Sequence, residues 1–230
     1  MRIASFLAAL LGAFVGLAHA GRVQITVTDM EGHPVPDVVV LVHPHQPVVP
    51  VPAPTLAVIE QKDMRFVPFL TIVPVGSTLR FVNRDGYDHH VRSTSSGPLG
   101  STPPAVSFEL RLEAADSVAA VAGNIDRPAS RRKTLAAGAE VNAVQPGPIG
   151  LGCHLHSSMR GQVYVTDTPY FAKTDANGVA SIDGVPDGAA ELDVWHPDQL
   201  REQATQSVQV TDAPLKLNSQ LNFTPRRRRG

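Results

Sequence analysis

Residues 152–161 read Gly-Cys-His-Leu-His-Ser-Ser-Met-Arg-Gly. Within this short span the chain offers a thiol at Cys153, an imidazole at His156 and a thioether at Met159, each three residues apart. A tight loop can wrap all three donors around one ion. A soft thiolate with imidazole and a weak thioether is the donor set that accommodates both oxidation states of copper. Zinc also takes Cys and His, but its structural sites rarely use a thioether. Iron–sulfur ligation needs more thiolates than the single cysteine of this chain supplies. Taken alone, each residue is ordinary: a lone His usually lies at the surface, and a lone Met or Cys usually fills a core.

A loop with one imidazole needs another from elsewhere, and a distant strand end is a natural source. Residues 75–90, VGSTLRFVNRDGYDHH, supply it: Thr78–Val82 alternates like a strand, Asn83–Asp88 turns, and His89-His90 follows. Further strand patterns lie at Val23–Val27, Val38–Val42, Ala57–Glu60, Leu70–Val75, Val106–Leu112, Gln162–Val165, Ser207–Val210 and Leu215–Leu221. The first two of these, joined through Asp29–Pro36, read as a β-hairpin. Turn signals stand at Gly76-Ser77, Asp85-Gly86, Asp175-Ala176-Asn177-Gly178 and Pro186-Asp187-Gly188. With 20 Pro and 18 Gly among 230 residues, the composition suits short strands and many turns. The fold class expected is all-β.

Residues 1–20 read as a secretion signal. Arg2 is the positive start, Ile3–Leu17 is apolar, and Ala18-His19-Ala20 is a small-x-small cleavage site that would free Gly21. The apolar run is short for a membrane span, so no membrane insertion is expected after cleavage, and the expected location is the periplasm. One cysteine permits no intrachain disulfide. A formal net charge of −1 argues against nucleic-acid binding through bulk positive charge.

The middle of the chain, residues 56–166, resembles the cupredoxins, and amicyanin most among them. The Cys-x-x-His-x-x-Met spacing of Cys153, His156 and Met159 carries the likeness. So does the upstream run Val75-Gly76-Ser77-Thr78-Leu79-Arg80-Phe81-Val82-Asn83 leading to His89. Asp63-Met64-x-Phe66-x-Pro68 is similar to the family's opening strand, and Gln145-Pro146-Gly147 to the turn before its Cys loop. The flanking segments, 21–48 and 167–223, resemble a discontinuous transthyretin-like or carboxypeptidase-regulatory-like sandwich. That combination is similar to periplasmic proteins labelled methylamine-utilisation proteins. The resemblance implies a Greek-key copper sandwich inserted in, or flanked by, the smaller one. A Pro-rich connector (44–54) and a basic tail (224–230) complete the organisation.

What the resemblance implies for the site is one type 1 (blue) copper. Cys153 would bind as thiolate, His89 and His156 would complete a trigonal plane, and Met159 would be the long axial ligand. Asn83 would brace the loop from outside the ligand shell. The chain departs from the family pattern at two places. His90 stands where small cupredoxins usually have Asn, and His154 where a hydroxyl residue usually follows the Cys. Either is therefore an alternative ligand. The polar stretch 113–138 widens the separation of His89 from Cys153 and reads as a surface insertion.

The function expected is single-electron transfer with a periplasmic redox protein as donor or acceptor. Arg127, Arg131, Arg132 and Lys133 form a candidate docking patch. Two other classes compete: copper handling by a chaperone or sequestering protein, and non-redox carbohydrate or partner binding by the sandwiches. No nucleophile elbow, phosphate loop or paired-carboxylate motif is present, and Asp116, Asp126, Arg131 and Arg132 form no catalytic pattern, so an enzyme is not expected. His33, His43 and His45 make a weaker candidate metal group. Trp195-His196-Pro197 reads as the close of a strand, with Trp195 in the core of the flanking sandwich.

Overall fold

The computed structural model describes residues 20–46, 53–97, 100–115, 138–199 and 201–226. Residues 1–19 of the expected secretion signal, most of the 113–138 insertion with its Arg127–Lys133 patch, part of the Pro-rich connector and the arginines 227–229 lie outside the described residues. The described chain is all-β. It begins with β1 (Ala20–Thr28) and β2 (Val39–Pro44). There follow β3 (Leu56–Lys62), β4 (Arg65–Val67), β5 (Leu70–Pro74), β6 (Ser77–Asn83), β7 (His89–Thr94), β8 (Glu109–Leu112), β9 (Ala139–Ala143), β10 (Gly147–Cys153) and β11 (Arg160–Thr166). The last are β12 (Tyr170–Lys173), β13 (Val179–Pro186), β14 (Gly188–Trp195), β15 (Gln206–Val210) and β16 (Leu215–Gln220). Among the described residues no helix is long and apolar enough to cross a membrane.

Four sheets result, with orders β13-β1-β16, β12-β2-β14-β15, β5-β11-β10-β7-β8 and β4-β3-β6-β9. The first two draw only on the two ends of the chain and enclose one core, in which Val23, Ile25 and Ile182 meet Val40, Val42 and Leu192. The other two draw only on the middle and enclose a second core, in which Ile59, Leu79 and Phe81 meet Val91, Leu151 and Val163. Each is a pair of sheets closed over interleaved inward side chains, as alternation along the strands requires.

The expected hairpin of Val23–Val27 with Val38–Val42 does not form. β1 pairs with β13 and β16, whereas β2 pairs with β12 and β14. The chain between them crosses from one sheet to the facing one. After the Thr28–Pro34 bridge, Asp37 adopts a left-handed φ of 58° that redirects it. Alternation specifies which face a side chain takes, not which strand lies alongside, so the pattern fitted either arrangement.

β2 also explains its own sequence. Val38–Val42 is an uninterrupted apolar run because both of its faces are covered. Val38, Val40 and Val42 face the outer core, while Val39 and Leu41 join Leu70 and Trp195 in a third cluster between the sandwiches. Trp195 therefore lies at the junction rather than inside the flanking core. Its ring packs against Tyr164 of β11 at 5.1 Å. Burial, with Asp193 and Asp167 nearby, pushes the Tyr164 phenol up to about 12, so that the ring stays neutral under ordinary conditions.

If this junction couples the sandwiches, Trp195→Ala removes its largest side chain and costs about 3–5 kcal/mol. Urea unfolding should then separate into two transitions. A single transition with under about 1 kcal/mol of loss would deny the junction that role.

Candidate metal centre

Two neighbouring strands of the inner sandwich deliver the site. β7 and β10 run antiparallel with Val91 opposite Cys153 and Thr94 opposite Gly150. The two backbones approach closely: a Cβ on residue 150 would stand 2.4 Å from Thr94 Oγ1 and 2.8 Å from its carbonyl oxygen, so only glycine fits. Alternation then points His89 and Cys153 into the core, where both are buried. After Cys153 the chain loops back into β11, and the Met159 amide donates to the His156 carbonyl at 2.9 Å, tightening the loop. Met159 is buried in the same cluster as Cys153.

Cys153 Sγ lies 3.7 Å from His89 Nδ1 and 3.5 Å from His156 Nδ1, and the two nitrogens are 3.2 Å apart. A triangle with those edges has a centre about 2.0 Å from each corner, which is the length of metal–imidazole bonds and slightly short for a metal–thiolate bond. The three donors are thus already spaced to share one ion. Among the described residues this is one of two groups whose donor atoms lie within 4.8 Å of each other, the other being Asp29, Glu31 and His33.

The imidazole of His89 is aimed by a carboxylate that sequence reasoning missed. Buried Asp85 faces His89 Nε2 at 2.8 Å, so the proton sits on Nε2 and the Nδ1 lone pair is free to face the sulfur. Asp85 is itself held by amides: Asp63 donates to Oδ1 at 2.7 Å and Met64 to Oδ2 at 3.2 Å. Asp63 and Met64 have left-handed φ values of 53° and 56°, a conformation disfavoured for residues with a Cβ, and the Asp85 carboxylate anchors this turn. Of the run Asp63–Pro68, Asp63 and Met64 form a tight turn and Phe66 lies in β4. Burial works to raise Asp85, but the bonds from His89, Asp63 and Met64 outweigh it and hold the carboxyl below its ordinary value.

Asn83 closes the frame. Its Nδ2 donates to the carbonyls of Tyr87 and Glu113 at 2.7 and 2.9 Å, and its Oδ1 accepts the Asp85 amide at 2.8 Å. Tyr87, also missed, lies edge-on to both His89 and His156 with ring centres 5.3 Å away, half covering the group while remaining exposed itself. An Asp four residues before a His was the available signal for Asp85; nothing in the pattern marked Tyr87.

His90 and His154 are not brought into the donor triangle. They project from the same two strands one position out of phase, on the opposite face of the sheet, where His90 Nε2 faces Glu109 Oε1 at 3.1 Å. His33, His43 and His45 do not converge either: His33 lies beside Asp29 at 3.3 Å, His43 faces Asp193 at 3.6 Å and His45 faces Glu191 at 3.9 Å. The length of β2 separates the first from the other two.

No family model and no curated protein matches the chain. Among solved structures, a Cu(I) amicyanin variant is similar at 18% identity, over 48% of this chain and 82% of that chain, with a TM-score of 0.32. A second Cu(I) amicyanin variant is similar at 16% identity over 50% of this chain and 96% of that one, again at 0.32. A third Cu(I) variant matches at 16% identity over 55% and 98%, with the same score.

Asp85→Ala leaves His89 free to rotate and to change tautomer. Metal affinity, measured by competition with a chelator, should fall about 10–100-fold. An unchanged affinity would show that His89 is held by packing alone.

Proposed function

We propose that the protein is a periplasmic single-electron carrier built on one mononuclear type 1 copper of the cupredoxin kind. The observation that carries this reading is the triangle of Cys153 Sγ, His89 Nδ1 and His156 Nδ1, with edges of 3.2–3.7 Å. Its donor chemistry, one sulfur with two imidazoles and a nearby thioether, favours copper over zinc or iron–sulfur. Bound there, copper supplies a one-electron couple. The residues supply the rest. Cys153, His89 and His156 would hold the ion, Met159 would offer a thioether, and Asp85 fixes the tautomer of His89. Hydrogen bonds donated by Asn83 Nδ2 and accepted by the Asp85 carboxylate keep their loops in one arrangement, so little has to move when charge changes.

His156 is the edge offered to a redox partner, because it is half-buried where His89 is fully enclosed. Tyr87 and exposed Leu155 flank it with apolar surface. The reading invokes no substrate turnover, and the export signal at residues 1–20 supplies the location. The flanking sandwich acts as a mount for the copper unit through the Trp195–Tyr164 junction.

Reconstitution with Cu(II) tests the function. An intense band near about 600 nm, lost in Cys153→Ser and bleached reversibly by one electron per protein, is the expected result. Colourless Cu(I) that exchanges readily and never cycles would replace electron transfer with copper handling. A spectrum unchanged by Cys153→Ser would remove the ligand assignment itself.

A further inference from the structure

The outward face of the inner sandwich carries a hollow beside the Cys loop. Across β7, β10 and β11 the register aligns Thr94, Gly150 and Gln162 in one row, and Arg92, Gly152 and Arg160 in the next. These positions are out of phase with buried Val91, Cys153 and Val163, so they face outward. The middle position of each row has no side chain, which leaves a trough along β10. Part of this trough belongs to a cavity of about 390 Å³, which Pro197–Gln199 and Arg226 line from the side of the flanking sandwich.

The groups around the cavity are unequal in charge and in hydrogen-bonding sense. Arg160 and Arg226 both line it and are exposed, and neither guanidinium has a hydrogen bond or ion pair among the described residues. Ser96 Oγ donates to Gln162 Oε1 at 3.2 Å, which leaves the amide hydrogens of Gln162 as donors. The hydroxyls of Thr94 and Ser95 line the cavity too and have no partner among the described residues. Against this supply of donors the lining holds one carboxylate, Asp198, whose Oδ2 already accepts the Arg226 amide at 3.3 Å. Uncompensated guanidiniums give such a hollow a positive potential, and its low-dielectric walls focus that field.

We infer that the cavity binds a tetrahedral oxyanion, a phosphate group free or carried as an ester, between Arg160 and Arg226. Four oxygens match the donors available: each guanidinium offers paired N–H groups, and the Gln162 amide with the Thr94 and Ser95 hydroxyls supplies the rest. A carboxylate, with two oxygens, leaves part of that supply unanswered. The site shares no side chain with the triangle of Cys153, His89 and His156, so it stands whether or not that group carries copper.

Titration of the full chain with inorganic phosphate at constant ionic strength, followed through its amide resonances, tests this. Saturable shifts should centre on Thr94, Ser95, Leu151 and Gln162. Arg160→Gln and Arg226→Gln should each weaken binding about 10-fold or more, the loss expected of a charge-assisted pair. Arg65→Gln, which removes an exposed arginine of β4, should leave the affinity unchanged. Both cavity arginines are exposed, so matching circular dichroism is expected of their variants. Glycerol 3-phosphate separates the two sources of the group: binding as tight as phosphate marks an ester-carrying ligand, and its exclusion marks the free ion. Shifts that never saturate, or one affinity shared by all three variants and the unsubstituted chain, overturn the inference and leave only general attraction to basic surface.

Discussion

A fully buried imidazole has two nitrogens to satisfy, and neither can turn to water. In His89 one of them is answered by Asp85 at 2.8 Å and the other is directed at Cys153 and His156. Much of the surrounding structure serves that division. The left-handed turn at Asp63-Met64 donates two amides to Asp85, Asn83 ties the loop that carries Asp85, and Gly150 lets β10 approach β7 closely enough to bring Cys153 within reach. One sulfur and two imidazole nitrogens lie 3.2–3.7 Å apart, with His89 and Cys153 buried and His156 half-buried, a spacing that lets all three reach one ion. The arrangement makes physical sense as a ligand set.

The site was more legible in the sequence than the framework that holds it. Cys153, His156 and Met159 declared themselves through donor type and spacing, and His89 followed from a strand leading into a turn. Chemistry restricts ligands to few residue types, so a short pattern is informative. Asp85 was hidden because an Asp four residues before a His is common without any such pairing, and Tyr87 because an aromatic ring over a site looks like any loop residue. β10 was hidden for a physical reason as well. Its glycines at 150 and 152 argue against a strand by propensity, yet the neighbouring Thr94 leaves room for nothing larger at 150. Sheet partnership was the least legible property of all: β1 and β2 showed their faces correctly and their pairing wrongly, since long-range packing chooses the neighbour.

The same alternation that hides a partner exposes a design. Consecutive histidines at 89 and 90, and the Cys153-His154 pair, look in the sequence like crowding at one centre. On a pleated strand they are two populations pointing to opposite faces. One face carries buried His89 and Cys153; the other carries half-buried His90 and exposed His154. The flanking sandwich contacts the copper-site sandwich at longer range: Val39, Leu41 and Trp195 pack with Leu70 and Ile72 of β5 and Tyr164 of β11.

The central claim is that one sulfur and two imidazole nitrogens converge on a single copper ion. X-ray absorption at the copper edge of the reconstituted protein measures this directly. The account predicts one short sulfur at about 2.1–2.3 Å with two nitrogens at about 2.0 Å. A first shell of nitrogen and oxygen alone, with no sulfur at bonding distance, would contradict it.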